Sequence, residues 1–254
     1  MRKNKVREIW KAGKNPTVAW MNSPDTYVAQ IMAQVGYDVL LLDMQHGMAI
    51  GPDRAALWIQ AVATTETVPF VRVPWNEPFL IQYMLDAGAG GIVVPLVNSY
   101  EEAAKAGAAA KYPPIGYRST GVNQGRGIWG DDYAAHANEE IICLVMIENI
   151  KTIPHLDKMA KAPGVDGFYV GPADLALSLG INPAERGTSA EHAAACQTVL
   201  DVAKANGIIP GIHCGSTDEV LKRQKQGFRF CQVMTDTALL ASTAKSQLES
   251  VANK

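Results

Sequence analysis

The sequence predicts an α/β fold, namely a single (β/α)8 TIM barrel that spans residues 1–254. The length of 254 residues matches the roughly 250 residues that such a barrel needs in one domain. Eight short apolar runs are continuous rather than alternating, which is typical of parallel strands buried on both faces. Stretches of helical periodicity separate these runs, and no G-x-G-x-x-G follows the first run, which disfavours a doubly wound open sheet.

The eight predicted strands are rich in Val, Ile, Leu and aromatic residues and are bounded by Gly, Pro or Asn. They cover residues 17–22, 38–44, 69–74, 91–97, 141–148, 167–172, 208–214 and 228–234. A strand and its helix together take about 30 residues, so eight such units account for most of the chain.

Several helices between these strands begin with a capping signature, in which a side-chain oxygen accepts a hydrogen bond from a free N–H of the first turn. The signatures are Ser23 followed by Pro24 and the pairs Ser99–Glu102, Thr188–Glu191 and Ser216–Glu219. We therefore expect helices to begin at these four points.

The one long connection covers residues 112–138 and is rich in glycine. Connections of about 25 residues in a compact domain usually serve as lids or binding loops. This one supplies Arg118, Asn123 and Arg126 as polar candidates for a site. Packing of the loop against a neighbouring subunit is an equally good interpretation.

The composition disfavours several classes of function. The chain has 23 Lys and Arg against 25 Asp and Glu, a net charge of −2, so it has no basic excess for nucleic acid. No apolar run approaches the ~20 residues that cross a bilayer, and the basic residues 1–14 are not followed by the apolar stretch of a secretory signal. The four cysteines share no C-x-x-C spacing. We expect a globular cytoplasmic protein with buried thiols and with no nucleic-acid or membrane partner.

The active site of a (β/α)8 barrel lies at the C-terminal ends of its strands. The polar residues at these ends are Asp43, Gln45, His46, Arg72, Glu148, Asp174, His213, Thr235 and Asp236. No lysine lies inside a predicted strand, whereas Schiff-base chemistry in a barrel needs a desolvated lysine there. Bond making next to a carbonyl would therefore require a metal in this chain.

Glu148 and Asp174 follow adjacent predicted strands, five and six. Two carboxylates brought close together repel unless a cation lies between them. Mg²⁺ and Mn²⁺ bind through one or two carboxylates while keeping water or substrate oxygens. In the alternative interpretation, Glu148 pairs with Arg72, and Asp174 only caps the helix that covers residues 175–180.

Asp43 and His46 lie where strand two ends, and Arg72 lies on the next strand. A carboxylate can orient an imidazole and raise its basicity, which general-base catalysis needs. Arg72 can stabilise a developing oxyanion or enolate. Its alternative role is a buried ion pair with Glu148 or Asp43.

Gly171, Pro172, Ala173 and Asp174 lead directly into a predicted helix. Backbone N–H groups at a helix start favour an anion, either a small carboxylate or a phosphate. His213 can line the same pocket, although a lone histidine at a strand end is more often structural.

Six segments carry a family resemblance that spans most of the chain. They are LLLDMQHG (40–47), FVRVPWNEP (70–78), LDAGAGGIVVPLV (85–97), YPPIGYRSTG (112–121), MIEN (146–149) and GVDGFYVGPADLALSLG (164–180). Together, and in the right order, they resemble the metal-dependent, class II pyruvate or hydroxy-ketoacid aldolases. This family is typified by 4-hydroxy-2-oxoheptanedioate aldolase and 2-dehydro-3-deoxyglucarate aldolase.

The resemblance implies that Glu148 and Asp174 hold Mg²⁺, Mn²⁺ or Co²⁺, and that pyruvate binds this metal and forms an enolate there. It further implies that His46 and Asp43 handle protons and that Arg72 steadies the enolate oxygen. The segment from Gly171 to Asp174 would take the pyruvate carboxylate on the N–H groups of Ala173 and Asp174. The reaction would be reversible cleavage of a 4-hydroxy-2-oxoacid to pyruvate and an aldehyde.

The resemblance also implies a homo-oligomer, expected to be a hexamer, in which the last helix, residues 237–254, packs on a neighbouring subunit. Two positions depart from the family pattern, since Gln45 stands where the family often has Glu and Met146 where it often has Gln. Oxaloacetate decarboxylation and acyl-CoA lyase action are alternatives that use the same enolate chemistry. A barrel that binds a ketoacid without catalysis is a third.

Overall fold

Eight parallel strands close into a barrel in chain order, with β8 paired to β1, and the predicted fold class is confirmed. The computed structural model describes residues 1–48 and 51–252. The strands are β1 Val18–Met21, β2 Val39–Asp43, β3 Val68–Arg72, β4 Gly91–Val94, β5 Ile142–Ile147, β6 Gly167–Val170, β7 Ile209–Ile212 and β8 Phe230–Thr235. Each lies at or within a predicted run, except that β3 begins one residue before its run and β8 ends one residue after its run.

Helices follow the strands and cover the outside of the barrel. Their bounds are α1 Lys5–Lys11, α2 Thr26–Gln34, α3 Pro52–Val62, α4 Pro78–Asp86, α5 Tyr100–Ala110, α6 Gln124–Trp129, α7 Tyr133–Glu140, α8 Leu156–Met159, α9 Pro172–Ser178, α10 Ala190–Ala205, α11 Thr217–Gln226 and α12 Asp236–Ala252. Short 3-10 turns precede α8 and follow α9. Within the two described ranges, no helix has both the length and the apolar character that a bilayer crossing requires.

Aromatic side chains fill the barrel interior. Phe230 stacks on Phe70, with ring centroids 5.4 Å apart, and meets the edge of Tyr169 at 6.1 Å. Trp20 stacks on Tyr169, with ring centroids 5.7 Å apart. These rings are almost fully buried, and burial of such a side chain contributes roughly 1.5–3 kcal/mol. The barrel is therefore a packed core, and only its ends can hold a ligand.

Helix α1 closes the N-terminal end of the barrel, a feature that the basic sequence of residues 1–14 did not reveal. Asn4 caps the helix, and its amide nitrogen donates to the carbonyl oxygens of Gly90 and Glu140 at 3.0 and 2.9 Å. The Trp10 indole donates to the carbonyl oxygen of Arg229 at 3.0 Å. Because this end is sealed, the C-terminal ends of the strands are the open face.

Two of the four predicted helix caps are confirmed. The Ser99 hydroxyl accepts from the N–H of Glu102 at 3.1 Å at the start of α5, and the Ser216 hydroxyl accepts from the N–H of Glu219 at 3.2 Å at the start of α11.

The other two predicted caps are wrong by one or two residues. Asp25 rather than Ser23 caps α2, because its carboxylate accepts from two N–H groups of the first turn. Ser189 rather than Thr188 caps α10, because the Thr188 hydroxyl instead donates to the carbonyl oxygen of Glu185 at 2.9 Å.

Within residues 112–138 the chain forms helix α6 and most of helix α7, whereas residues 112–123 contain no helix. Two glycines, Gly125 and Gly127, interrupt the helical pattern of α6 in the sequence. Of the polar candidates in this segment, Arg118 is buried and structural, since its Nη2 donates to Asp86 at 2.7 Å and its Nη1 to the Tyr133 hydroxyl at 2.8 Å. Asn123 and Arg126 are exposed.

Candidate active site

Asp43 and Arg72 form a buried ion pair at the open end of the barrel. They are register partners at the ends of β2 and β3. Arg72 donates twice, from Nε to Oδ1 at 2.9 Å and from Nη2 to Oδ2 at 2.5 Å. Burial alone would raise the pKa of the Asp43 carboxyl, but the hydrogen bonds and charge of Arg72 outweigh it, so the pKa is lowered. Asp43 is therefore a permanent anion that fixes the guanidinium.

Trp20 supports this pair from β1. Its indole N–H donates to Asp43 Oδ2 at 3.1 Å, and the Arg72 guanidinium carbon lies 4.9 Å from the centre of its ring. The one hydrogen bond described for the remaining guanidinium nitrogen, Nη1, is a long contact of 4.0 Å to the Met146 sulfur. Since a thioether is a weak acceptor, Nη1 keeps its donor capacity for a ligand oxygen.

The Asp43 carboxylate holds the backbone of His46 rather than its ring. Oδ1 accepts from the N–H groups of Gln45 at 3.0 Å and His46 at 3.1 Å, which fixes the turn after β2. The His46 side chain is exposed. The expected contact between the carboxylate and the imidazole is therefore wrong, because both Asp43 oxygens already accept from Arg72, Trp20 and the backbone.

Glu148 is a buried carboxylate, 5% exposed, that follows β5. Its Oε1 accepts from the N–H of Leu96 at 2.6 Å. Leu96 has φ of 56°, a left-handed conformation that costs a non-glycine residue about 1–2 kcal/mol. Leu96 adopts this conformation in the loop that presents its N–H to Glu148. The suggested ion pair between Glu148 and Arg72 is not formed, because Asp43 takes the guanidinium.

Burial raises the pKa of the Glu148 carboxyl, and the nearby charge of Asp174 raises it further, against the opposing effects of the Leu96 N–H and Arg72.

The other Glu148 oxygen, Oε2, faces Gly171. A Cβ at position 171 would lie 2.6 Å from Oε2 and 3.0 Å from the Met146 methyl carbon. Only a glycine therefore leaves this oxygen its space.

Asp174 lies in the first turn of α9, which begins at Pro172. Its side chain is exposed, and no described group donates to its carboxylate, so it does not cap the helix. The backbone N–H groups of Ala173 and Asp174 likewise have no acceptor among the described residues. This corner of the site offers one free carboxylate and two free N–H donors.

The site offers a metal few ligands from the protein. Across residues 1–48 and 51–252, no group of three or more His, Cys, Asp or Glu side chains is arranged to hold a metal ion. Glu148 and Asp174 are a pair, and an ion held by them would keep most positions for water or substrate oxygens. The Gln45 side-chain oxygen, in the turn after β2, is a further buried acceptor without a described partner.

A family model described as HpcH/HpaI aldolase/citrate lyase matches residues 17–243 of the chain. The chain belongs to this family. It is 36% identical over 242 residues to a hydroxypyruvate/pyruvate aldolase of Rhizorhabdus wittichii, covering 95% of this chain and 96% of that protein. It is 32% identical over 249 residues to a 4-hydroxy-2-oxo-heptane-1,7-dioate aldolase of Salmonella dublin, covering 96% and 93%.

A solved structure gives the same result. A HpcH/HpaI aldolase/citrate lyase family protein from Burkholderia cenocepacia matches with a TM-score of 0.89 at 30% identity, covering 98% of this chain and 99% of that chain. The resemblance seen in the sequence is confirmed, and with it the prediction of an enzyme. This HpcH/HpaI family member is a carbon–carbon lyase of the aldolase class.

The structure of this aldolase brings the sequence-predicted residues to one end of the barrel but changes their partners. Asp43 and Arg72 are in contact, the charge of Asp174 acts on the Glu148 carboxyl, and the His46 side chain is exposed. Sequence reasoning missed Trp20 and the Leu96 N–H. The signal for Trp20 was present, since its indole N–H needs a partner inside an otherwise apolar strand.

Proposed function

We propose that this aldolase is a divalent-metal enzyme that reversibly cleaves a 4-hydroxy-2-oxoacid to pyruvate and an aldehyde. The observation that carries the proposal is the pair Glu148 and Asp174, with Glu148 Oε2 kept open by Gly171. The names of two relatives, a hydroxypyruvate/pyruvate aldolase and a 4-hydroxy-2-oxo-heptane-1,7-dioate aldolase, support the substrate class.

The residues present fit a hard divalent cation. Burial raises the pKa of Glu148 because it disfavours the charged carboxylate. A bound cation would stabilise this charged form. Oxygen ligands suit Mg²⁺, Mn²⁺ or Co²⁺, and we propose that Glu148 and Asp174 hold one of these ions. When bound, the ion acts as a Lewis acid on the keto oxygen of pyruvate and thereby acidifies the methyl group.

Arg72 supplies the fixed positive charge of the proposed reaction. Its Nε and Nη2 are committed to Asp43, so the plane of the guanidinium is set and Nη1 remains to donate to the enolate oxygen. A donor that is already oriented needs no reorganisation as the oxygen gains charge. Asp43 and Trp20 act as positioning residues for this donor.

Two further parts of the site take proposed roles. The N–H groups of Ala173 and Asp174 bind the pyruvate carboxylate at the start of α9. The carboxylate can approach closely because Gly171 has no side chain and Pro172 has no N–H group. The exposed imidazole of His46 moves the proton to and from the methyl carbon, since imidazole is the side chain suited to proton exchange near neutral pH.

We propose that residues 1–254 form one domain. We further propose that the protein is a homo-oligomer, a hexamer as the family resemblance implies. Helix α12 supports this, because Asp236 is its one buried residue among those described. An apolar groove between α2 and α12 is lined by Val28, Ile31, Met32 and Leu240. We also place the enzyme in the cytoplasm, a compartment that suits its four unpaired buried cysteines.

The proposal is tested with protein stripped by a chelator and then supplied with Mg²⁺, Mn²⁺ or Co²⁺. Pyruvate release from 4-hydroxy-2-oxoacids should depend on the metal and should fall at least ~100-fold in Glu148→Gln and in Asp174→Asn, because each removes one ligand charge. The exposed Glu139→Gln is the matched control and should behave as wild type. Full activity of both site variants, or activity without metal, would contradict the proposal.

A further inference from the structure

His213 occupies a position in the barrel mouth that the mechanism above does not use. It directly follows β7, in which Gly211 faces the interior against the Tyr169 ring and Ile212 faces outwards. The alternation of a strand turns His213 inwards again. Its ring meets the edge of the Trp20 indole, with centroids 4.9 Å apart, and it is half-buried. The imidazole therefore lies beside the same indole that supports Arg72.

A chain of hydrogen bonds below His213 has only one consistent direction, and it starts at Gln232. The Gln232 amide is oriented by the backbone of Cys214, since Nε2 donates to the carbonyl oxygen at 2.6 Å and Oε1 accepts from the N–H at 2.9 Å. The reverse orientation would set two donors against each other. Gln232 Oε1 is therefore an acceptor, and the Tyr169 hydroxyl donates to it at 3.1 Å.

This direction sets the tautomer of His213. The Tyr169 hydroxyl has a single hydrogen, which Gln232 receives. Its oxygen can then only accept in the contact with His213 Nδ1 at 3.3 Å, so Nδ1 carries the hydrogen. In a neutral imidazole with hydrogen on Nδ1, Nε2 presents a lone pair. No described group donates to Nε2.

The imidazole is also uncharged at neutral pH. Burial lowers the pKa of His213 to about 4, and the positive charge of Arg72 adds to this effect against the smaller opposing effect of Asp43. A neutral acceptor attracts a hydroxyl hydrogen, whereas it gains nothing from a methyl group and repels a carbonyl or carboxylate oxygen.

We propose that His213 is a specificity residue whose Nε2 accepts a hydrogen bond from a hydroxyl group of the substrate, so that the enzyme prefers a hydroxylated partner to its methyl analogue. The inference rests on the proposed aldolase function. The hydroxyl belongs either to the aldehyde or to the oxoacid, and the test separates these two sources. Loss of one neutral hydrogen bond should change the preference by about 3- to 10-fold.

The test compares substrates in which a methyl group replaces the hydroxyl. Glycolaldehyde and propanal are compared as aldehydes with pyruvate, and hydroxypyruvate and 2-oxobutanoate are compared as oxoacids with one common aldehyde. The ratio of kcat/KM within each pair is measured for wild type, His213→Leu and His213→Gln. Glutamine keeps an acceptor near the place of Nε2, so it serves as the conservative variant.

We expect the ratio of one pair to fall about 3- to 10-fold in His213→Leu and to recover in His213→Gln. The pair that responds identifies which partner carries the hydroxyl. Turnover with both ratios unchanged in His213→Leu overturns the inference and leaves the aldolase function standing. Absence of turnover for all four combinations with every metal overturns the aldolase function itself.

A spectroscopic measurement on the metal-free protein tests the tautomer independently of activity. The ¹⁵N NMR spectrum at neutral pH should show His213 Nδ1 as protonated and Nε2 as unprotonated, with the signals identified by their loss in His213→Gln. Tyr169→Phe should remove this preference, because it takes away the acceptor of the Nδ1 hydrogen. Hydrogen on Nε2, or a charged ring, in the wild type would overturn the inference.

Discussion

Arg72 shows how one residue combines the two roles that the sequence left open. The sequence allowed either a charge for an oxyanion or a buried ion pair, and the structure contains the ion pair with Asp43. A two-point ion pair does not use up the guanidinium, because Nη1 stays outside it. Residue type and position along the chain could predict the charge, but only the geometry of the pair shows which nitrogen remains.

Gly171 gives a test at the scale of a single atom. In Gly171→Ala the new methyl group would lie 2.6 Å from Glu148 Oε2 and 3.0 Å from Glu148 Cβ, so the carboxylate must move. We expect the affinity for Mn²⁺, measured by calorimetry, to fall at least ~10-fold, with a parallel loss of kcat/KM.

Gly187→Ala is the matched control, since a methyl group there meets no atom within 4 Å. Its metal affinity and kinetics should equal those of wild type. An unchanged Mn²⁺ affinity in Gly171→Ala would show that Glu148 Oε2 is not a ligand.

At the scale of elements, the sequence predicted strands better than helix ends. Continuous apolar runs identify strands such as β5 because both of their faces are buried. A helix cap depends on one hydrogen bond, so neighbouring residues such as Thr188 and Ser189 compete and the sequence cannot rank them. The sequence did not indicate helix α6, because two glycines interrupt its pattern, although the helix contains the buried Trp129.

Helix α12 carries the prediction at this scale. Leu240, Leu248 and Val251 are exposed on one stripe of the helix, and exposed apolar stripes of this kind mark protein interfaces. We expect the double variant Leu240→Lys and Leu248→Lys to break the proposed oligomer into smaller species in light scattering coupled to gel filtration.

Ser246→Lys places the same charge on the opposite side of α12 and should leave the mass unchanged. A double variant with the wild-type mass would mean that this stripe is not the interface. A monomeric wild type would contradict the assembly itself.

At the scale of the whole molecule, closure of the barrel creates the site. Asp43, Arg72, Glu148 and Asp174 come from four separate units and share no local motif. The rule that barrel strands end on one face predicts that they gather, and this is why the candidate set could be written from the sequence. Their contacts depend on register and on loop conformations such as that of Leu96, which no local pattern encodes.

The most direct test of the account is exchange of the pyruvate methyl protons in D₂O, followed by NMR after removal of the metal. Exchange requires only the enolate and no aldehyde. Chelator-stripped wild type should exchange these protons only when Mg²⁺, Mn²⁺ or Co²⁺ is added, and Glu148→Gln should not exchange them under any of these conditions. Absence of exchange in the wild type with all three metals, or equal exchange in Glu148→Gln, would contradict a metal-dependent pyruvate enolate at this site.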